Sequence, residues 1–284
     1  MEILDNLLFS RVMFLVGGML IFSAIGARIN KAFETSFELV ATIFTSFLFL
    51  FLSFSYKDDY PTNLIILVLF SFSIGWYIGP AISRLGYVFK FKKYLKEIGV
   101  GRKVVKEKKH KGALANYLDS PTNKELFFYK DTPKEFLSEE QIDKIKDEFE
   151  QKIVKLDPYN KEWQNVIFNT MFCTCLAVLS SALLVYFSSV DFGFLGSILF
   201  LSLIIFIAVY TLNHFIFKSS TRRTMLSYVG AVIFCFYLVY DFSVLEKAMA
   251  SGDNSWGTAV VIAVNIYLDI INLLLELLQA LGGD

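Results

Sequence analysis

The chain has 284 residues, of which 55% are hydrophobic and 30 are Phe, and its mean hydropathy is +0.52. Soluble domains are rarely this apolar, so the composition places the chain in a membrane. Basic and acidic residues both number 27, and a formal net charge of zero argues against nucleic acid as a partner.

The N-terminal stretch MEILDNLLFSR is acidic, has no basic region before its apolar run, and shows no small-residue cleavage site. It reads as lacking a cleaved signal peptide, with the first apolar run kept as a membrane helix. Apolar stretches near bilayer length recur seven times, at about 12–28, 37–56, 63–83, 165–188, 193–214, 224–249 and 256–281. The pattern predicts an all-α fold, a bundle of seven transmembrane helices with a hydrophilic, partly helical insertion between the third and fourth. The expected units are 1–87 with the first three helices, 88–162 as the insertion, and 163–284 with the last four. Trp163 and Trp256 stand at the starts of the fourth and seventh runs, where interfacial anchors belong. Cys173, Cys175 and Cys235 all lie inside apolar runs, with neither a disulfide framework nor metal-ligand spacing.

The insertion holds much of the charge. Between Lys90 and Lys161 lie 18 of the 27 basic residues, and between Glu97 and Glu162 lie 14 of the 27 acids. Its first part, KFKKYLKEIGVGRKVVKEKKHK, has ten bases and two acids. This run is either a solvated loop or a surface for anionic lipid headgroups. In the second part, Ser138 and Gln141 form a capping box, followed by Ile142, Ile145, Phe149, Ile153 and Leu156 at helical spacing. That predicts an amphipathic helix at about 139–156, packing on the insertion itself, on the end of the bundle, or on a protein partner. The insertion contains no EF-hand loop, P-loop or Cys/His metal cluster.

The seventh run carries carboxylates where they are least welcome. An ionised Asp269 at mid-membrane costs roughly 2.5–3.5 kcal/mol on insertion scales, so it needs a partner, a proton or water. Asn265, Asp269, Asn272, Glu276 and Gln279 are spaced four, three, four and three, which makes one polar stripe on a helix. The stripe must face the bundle interior or a watery path. Its amides also suit plain interhelical hydrogen bonding. Asp241 in the sixth run lies about nine residues before the turn at SGDNS (251–255), and Asp269 about fourteen after it. At 1.5 Å per residue they sit roughly 13 Å and 20 Å below the same membrane face, a difference that tilt can close. Two such carboxylates share a proton unless a cation intervenes, which is the physical basis of a pH-sensitive, cation-responsive latch. Lys57, at the end of the second run and on the same side, is either a counter-ion to this pair or a snorkelling lysine. His110 and His214 suggest no catalysis, and no catalytic residue or required cofactor is predicted.

These residues resemble the transmembrane Bax inhibitor motif family. YVGAVIFCFYLVYD (228–241) is similar to its sixth helix, which ends in Tyr-Asp. IYLDIINLLLELLQALG (266–282) resembles its seventh-helix pattern. GWYIGPA (75–81) resembles its Gly-x-x-x-Gly-Pro, and LGSILF (195–200) fits the start of its fifth helix. Counting back from Pro80, Lys57 falls where bacterial relatives carry a basic residue, usually Arg. Lys in place of Arg weakens a bidentate grip on the two Asp. The 88–162 insertion and the acid at Glu276 depart from the family pattern. The resemblance implies a seven-helix bundle that leaks calcium down its gradient. Asp241 and Asp269 would serve as gate and pH sensor, and calcium, as permeant ion, would meet the same two carboxylates. For eukaryotic members it also implies modulation of cell death.

Three rival functions fit parts of the pattern. An intramembrane aspartyl protease would use two Asp on neighbouring helices, but Asp269 stands in YLDI rather than in Gly-x-Gly-Asp. A proton-coupled transporter would use Asp269 and Glu276 as a relay, but no inverted repeat of broken helices is visible. A non-conducting scaffold would use the insertion as its interaction module. The expected location is a multi-pass position in a bacterial inner membrane or a eukaryotic endomembrane. Orientation has two readings. Arg28, Lys31, Lys218, Arg222 and Arg223 lie on the side of the insertion, which the positive-inside rule assigns to the cytoplasm. The resemblance to bacterial members implies the reverse.

Overall fold

The computed structural model describes residues 7–107, 122–132, 134–188, 190–217 and 220–282. His110 and Lys218 lie outside the described residues, as do 108–121 and the last two positions. The elements in chain order are α1 (Leu7–Ile29), α2 (Ser36–Ser55), α3 (Thr62–Glu97), β1 (Val100–Glu107), β2 (Thr122–Tyr129) and α4 (Glu139–Glu148), followed by α5 (Asp157–Phe187), α6 (Leu195–Leu212), α7 (Ser220–Ala250) and α8 (Trp256–Gly282). All of these helices except α4 are long and apolar enough to cross a membrane, seven in number as the sequence predicts.

The helix α8 is the axis of the bundle. Ala259, Val260, Ala263, Val264, Tyr267 and Leu273 are fully buried, because small and branched side chains let α1, α3, α5 and α7 close around them. The helix α6 is the opposite case. Phe200, Leu201, Ile204 and Ile205 are exposed, and only Leu199 and Phe206 are buried, the pattern of a helix facing lipid. Cys173 and Cys175 on α5 are likewise exposed free thiols.

The seam between α1 and α3 explains the GWYIGPA motif. A Cβ at Gly75 or Gly79 would fall on the α1 backbone at Ser23, Ala27 and Asn30, and a Cβ at Gly26 would strike Phe72 and Trp76. Only glycine lets the two backbones approach this closely. Pro80 lies inside α3 and has no N–H to give to the Trp76 carbonyl one turn back. Asn30 Nδ2, just past the end of α1, donates to that carbonyl instead, at 3.0 Å. In hydrocarbon a freed carbonyl needs such a partner.

The insertion is built on the two helices that flank it. α3 has 36 residues, so it runs roughly 54 Å, well beyond the roughly 30 Å hydrocarbon core. The expected unit edges at 88 and 162 therefore fall inside continuous helices rather than in linkers. Gly99, with φ of +71°, turns the chain out of α3 into an antiparallel hairpin whose register runs from Val100 opposite Tyr129 to Glu107 opposite Thr122. This hairpin is absent from the sequence reading. Its signal is the β-favouring residues of VGRKVV and LFFY, set among charges that mask the alternation. The capping box forms: Ser138 Oγ accepts from the Gln141 amide, and the Gln141 side chain accepts from the Ser138 amide. The helix expected at about 139–156 ends sooner. A π-helical turn at Phe149–Ile153 closes it, and Leu156 is exposed as the N-cap of α5 rather than part of the stripe. Pro158 sets that start, since proline favours the first turn. Phe149 is fully buried against Tyr94 and Tyr159. Tyr159 donates to Glu97, and Lys93 pairs with Glu162, so the ends of α3 and α5 are clasped. Trp163, expected as an interfacial anchor, is buried against Gly86 and Gly282 instead.

Candidate functional site

The site is organised by the turn between α7 and α8. Gly252 takes φ of +75° at the turn, a value costly for other residues. Ser255 caps α8, its hydroxyl accepting from the Thr258 amide at 3.2 Å. Asp253 accepts from the Ser255 amide at 2.8 Å and from the Thr258 hydroxyl at 2.5 Å. Arg11 at the start of α1 donates to the Asn254 carbonyl and lies over the Trp256 ring, 4.5 Å from its centroid. These contacts fix where α8 enters the bundle.

Its rotation is fixed a little short of its midpoint by Tyr267. That side chain is fully buried, meets Phe70 of α3 edge to face at 5.9 Å, and its hydroxyl lies 2.5 Å from Ser23 Oγ of α1. Ser23 Oγ also donates to the Ser71 carbonyl at 2.8 Å. Residues two apart on a helix point roughly 200° apart. With Tyr267 held against α1 and α3, Asp269 is turned toward α7.

There it meets Asp241. The two carboxyl groups adjoin on the border of one cavity, and a hydrogen bond between them would need a shared proton. Both residues are more than nine-tenths buried, and one oxygen of each, Oδ2, has no hydrogen-bond partner among the described residues. The pair borders a cavity of about 520 Å³ between α6, α7 and α8. Asn265, Asn272 and Glu276 line the same cavity, so most of the predicted stripe faces one space, whereas Gln279 does not reach it. Phe206 and Ile207 of α6 form part of the opposite wall. Glu276 occupies the end nearer the insertion, close to Ser227, whose hydroxyl donates to the Arg223 carbonyl at 3.1 Å, and Gly230 leaves it room.

Sequence reasoning did not anticipate the α7 residues around the pair. Tyr237 and Tyr240 line the cavity beside Asp241. Tyr237 lies one helical turn before Asp241 and so shares its face, a spacing that could have revealed it. Gly230 and Ser227 serve Glu276 only because α7 and α8 pack in this register. Lys57 lies past the end of α2, where its carbonyl accepts from Asn63 Nδ2 at 2.8 Å, and it is not among the residues lining the cavity. No cluster of three or more His, Cys, Asp or Glu with metal-holding geometry occurs among the described residues. A cation here would meet two carboxylates, with Asn265 and Asn272 able to supply amide oxygens from the same wall.

Residues 159–284 match the family model described as inhibitor of apoptosis-promoting Bax1. The chain is 34% identical over 117 residues to the Golgi anti-apoptotic protein of vaccinia virus (strain Lister), covering 41% of this chain and 47% of that protein. It is 36% identical over 117 residues to protein LIFEGUARD 4 of Arabidopsis thaliana, covering 40% of this chain and 45% of that one. An uncharacterised protein of Campylobacter jejuni is 36% identical over 91 residues, 32% of this chain and 36% of its own length. The chain thus spans half or less of the length of these relatives. The matched region contains α5 to α8 and so holds both carboxylates and the whole cavity.

Proposed function

Taking as premise that residues 159–284 of this chain belong to the Bax inhibitor family, we propose that the protein is a pH-sensitive calcium leak gated by Asp241 and Asp269. The observation that carries this reading is the contact of two buried carboxyl groups, each with an unpartnered oxygen, beside a cavity lined by further oxygen-bearing side chains. Where the pair holds a proton, α7 and α8 are bridged at mid-membrane. Where it loses that proton, two negative charges adjoin in a weakly screened place, and either a cation enters or the helices part. Calcium is a hard cation that takes carboxylate and carbonyl oxygens at 2.3–2.6 Å, and such oxygens are what the cavity wall offers. Glu276, about 10 Å along α8 from Asp269, would give an entering cation a second resting place toward the insertion side.

The test is calcium entry into liposomes holding the purified protein, followed between about pH 5 and 8, the range in which buried carboxylates titrate. Wild-type flux should vary with pH, and the Asp241→Asn, Asp269→Asn double variant should give a flat profile. An unchanged pH profile in the double variant would leave the two acids as structural glue. Absence of any wild-type flux would favour a non-conducting scaffold.

A further inference from the structure

The cavity beside the acid pair has a definite end toward the insertion. Among the described residues, those lining it stop at Ile207 on α6, at Phe234 on α7 and at Glu276 on α8. The three helices converge there on one glycine. A Cβ at Gly230 of α7 would lie 2.8 Å from Phe206 Cζ of α6 and 2.9 Å from Glu276 Cδ of α8, so the ring and the carboxyl group both adjoin its bare backbone. Phe206 is buried although most of α6 faces lipid, and Tyr210, one turn farther, lies against its ring with the centroids 6.0 Å apart. Phe234, one turn from Gly230, brings a second buried ring to the same end.

Helix register shows what the Phe206 ring separates. Nearer the α7–α8 turn, a Cβ at Gly196 of α6 would lie 3.0 Å from the Tyr240 ring. Gly196 and Phe206 are ten residues apart, as are Tyr240 and Gly230, so α6 and α7 run antiparallel and touch at two points roughly 15 Å apart. Asp269, Asn272 and Glu276 succeed one another turn by turn along the α8 wall of the cavity. Beyond Gly230 the same face of α7 is polar again. Ser227, fully buried, and Arg223 lie three and seven residues farther toward the insertion. An oxygen-bearing path thus runs from the acid pair to Glu276 and resumes at Ser227, and what interrupts it is Phe206.

We propose that Phe206 is the barrier at the insertion end of the leak, an inference that rests on the leak reading above. A hydrated cation that has reached Glu276 meets an apolar ring seated where three helices converge, and a dry apolar constriction stops ions because water leaves it. Gly230 is the slot for that ring: with no side chain there, α6 comes close enough to α7 for Phe206 to stand beside Glu276. Within α6 only Leu199 and Phe206 are buried, so the ring can withdraw with its helix while α7 and α8 stay joined by their turn. The acid pair then decides whether charge is held at mid-membrane, and Phe206 decides whether a cation in the cavity reaches the insertion side. Phe206 limits the rate and takes no part in sensing pH.

Calcium entry into liposomes and thiol labelling test this together, both on the full-length protein. Phe206→Ala should raise calcium entry at least about fivefold at every pH and leave the midpoint of the pH profile where it is in wild type, because the acid pair is untouched. Phe206→Leu, a milder truncation, should raise entry at least about twofold. Leu199→Ala shortens the other buried side chain of α6, which does not line the cavity, and should leave entry as in wild type. For labelling, Cys173, Cys175 and Cys235 are replaced by alanine and the protein is kept in neutral detergent. A cationic methanethiosulfonate reagent should then react with the Glu276→Cys protein at least about tenfold faster when Phe206→Ala is added. The Asn265→Cys protein, altered at the turn end of the cavity, should react at one rate with and without Phe206→Ala. Unchanged entry in both Phe206 variants, each eluting as a monodisperse peak, would overturn the barrier. So would an equal rise in Leu199→Ala or a flattened pH profile, since either marks general loosening of α6. If wild type passes no calcium, the leak reading fails by itself and labelling alone decides: equal rates for the Glu276→Cys protein with and without Phe206→Ala would overturn the barrier too.

Discussion

Two helix seams cross the middle of this bundle, and they are built on opposite principles. Between α1 and α3, glycines bring the backbones together, and Ser23 and Asn30 each donate to a carbonyl of α3. Between α7 and α8, the helices stand far enough apart beside α6 to leave a cavity, and two carboxyl oxygens on its border lack partners. The first seam is held by close backbone contact and by these two hydrogen bonds. In the proposed reading, the second is satisfied only while a proton, or a cation, sits between Asp241 and Asp269. The contrast sets a close-packed frame against the part of the bundle to which the proposed gate belongs.

The largest effect should come from wedging the closed seam. Gly79→Leu would drive a side chain into the α1 backbone at Asn30 and Ala27, and a clash with backbone cannot be relieved by rotation. The expected outcome is loss of monodisperse protein in size-exclusion chromatography after detergent extraction. The equivalent change at Gly17, where a Cβ meets nothing within 4 Å, should leave the elution profile unchanged.

Opening the other seam should alter function while sparing the fold. Asp269→Asn keeps volume and hydrogen-bonding capacity but ends the sharing of a proton between two carboxyls. It should remove most of the pH dependence of calcium flux, with extraction and melting temperature near wild type. Glu276→Gln should change the pH profile less, because Glu276 stands at the far end of the cavity, about 10 Å along α8 from Asp269.

A smaller loss is expected for Asn30→Ala. It leaves the Trp76 carbonyl without its donor beside Pro80. Interhelical hydrogen bonds in membranes average about 0.6 kcal/mol and reach about 1.7 kcal/mol, and the upper part of that range applies here because α3 itself cannot replace the bond. Denaturant titration in mixed micelles measures it.

The smallest effect belongs to the turn that feeds the open seam. Ser255→Ala should cost about 1 kcal/mol through loss of the α8 cap. The neighbouring Asp253 carries a pH signature. Hydrogen bonds from the Thr258 hydroxyl and the Ser255 amide hold its carboxyl below the ordinary value of 3.8. A depressed value in the folded state means that its contribution is complete above the unfolded value and is lost as pH falls through the folded one. Melting curves of wild type should therefore drop slightly more below pH 4 than those of Asp253→Asn.

Much of this architecture is legible in the sequence because a bilayer imposes simple rules. Every spanning segment must be long, apolar and internally hydrogen-bonded, so seven apolar runs become seven helices, of which α3 runs on to Glu97 and α5 starts early, at Asp157, where the insertion is built on them. Helical periodicity put Asn265, Asp269, Asn272 and Glu276 on one face, and they do line one cavity. Chain order and the 251–255 turn placed Asp241 on the adjoining antiparallel helix, and the two carboxyls meet. The capping box of Ser138 and Gln141 was likewise local enough to read directly.

What tertiary structure alone decided is which neighbours each face meets, since that depends on the packing of helices distant in sequence. Lys57 lies on the same side of the membrane as the α7–α8 turn, but the packing of α2 leaves it outside the cavity lining. Trp163 stands at a helix start, where an anchor belongs, but glycines of α3 and α8 make a slot that buries it. The rotation that turns Asp269 away from α1 and α3 is set by Tyr267 against Phe70 and Ser23, contacts more than 190 residues apart along the chain. The basic run of the insertion read as a uniform stretch of charge. Only the hairpin, by folding Arg102 and Lys130 back over Lys92 and Lys96, gathers those cations around one hollow.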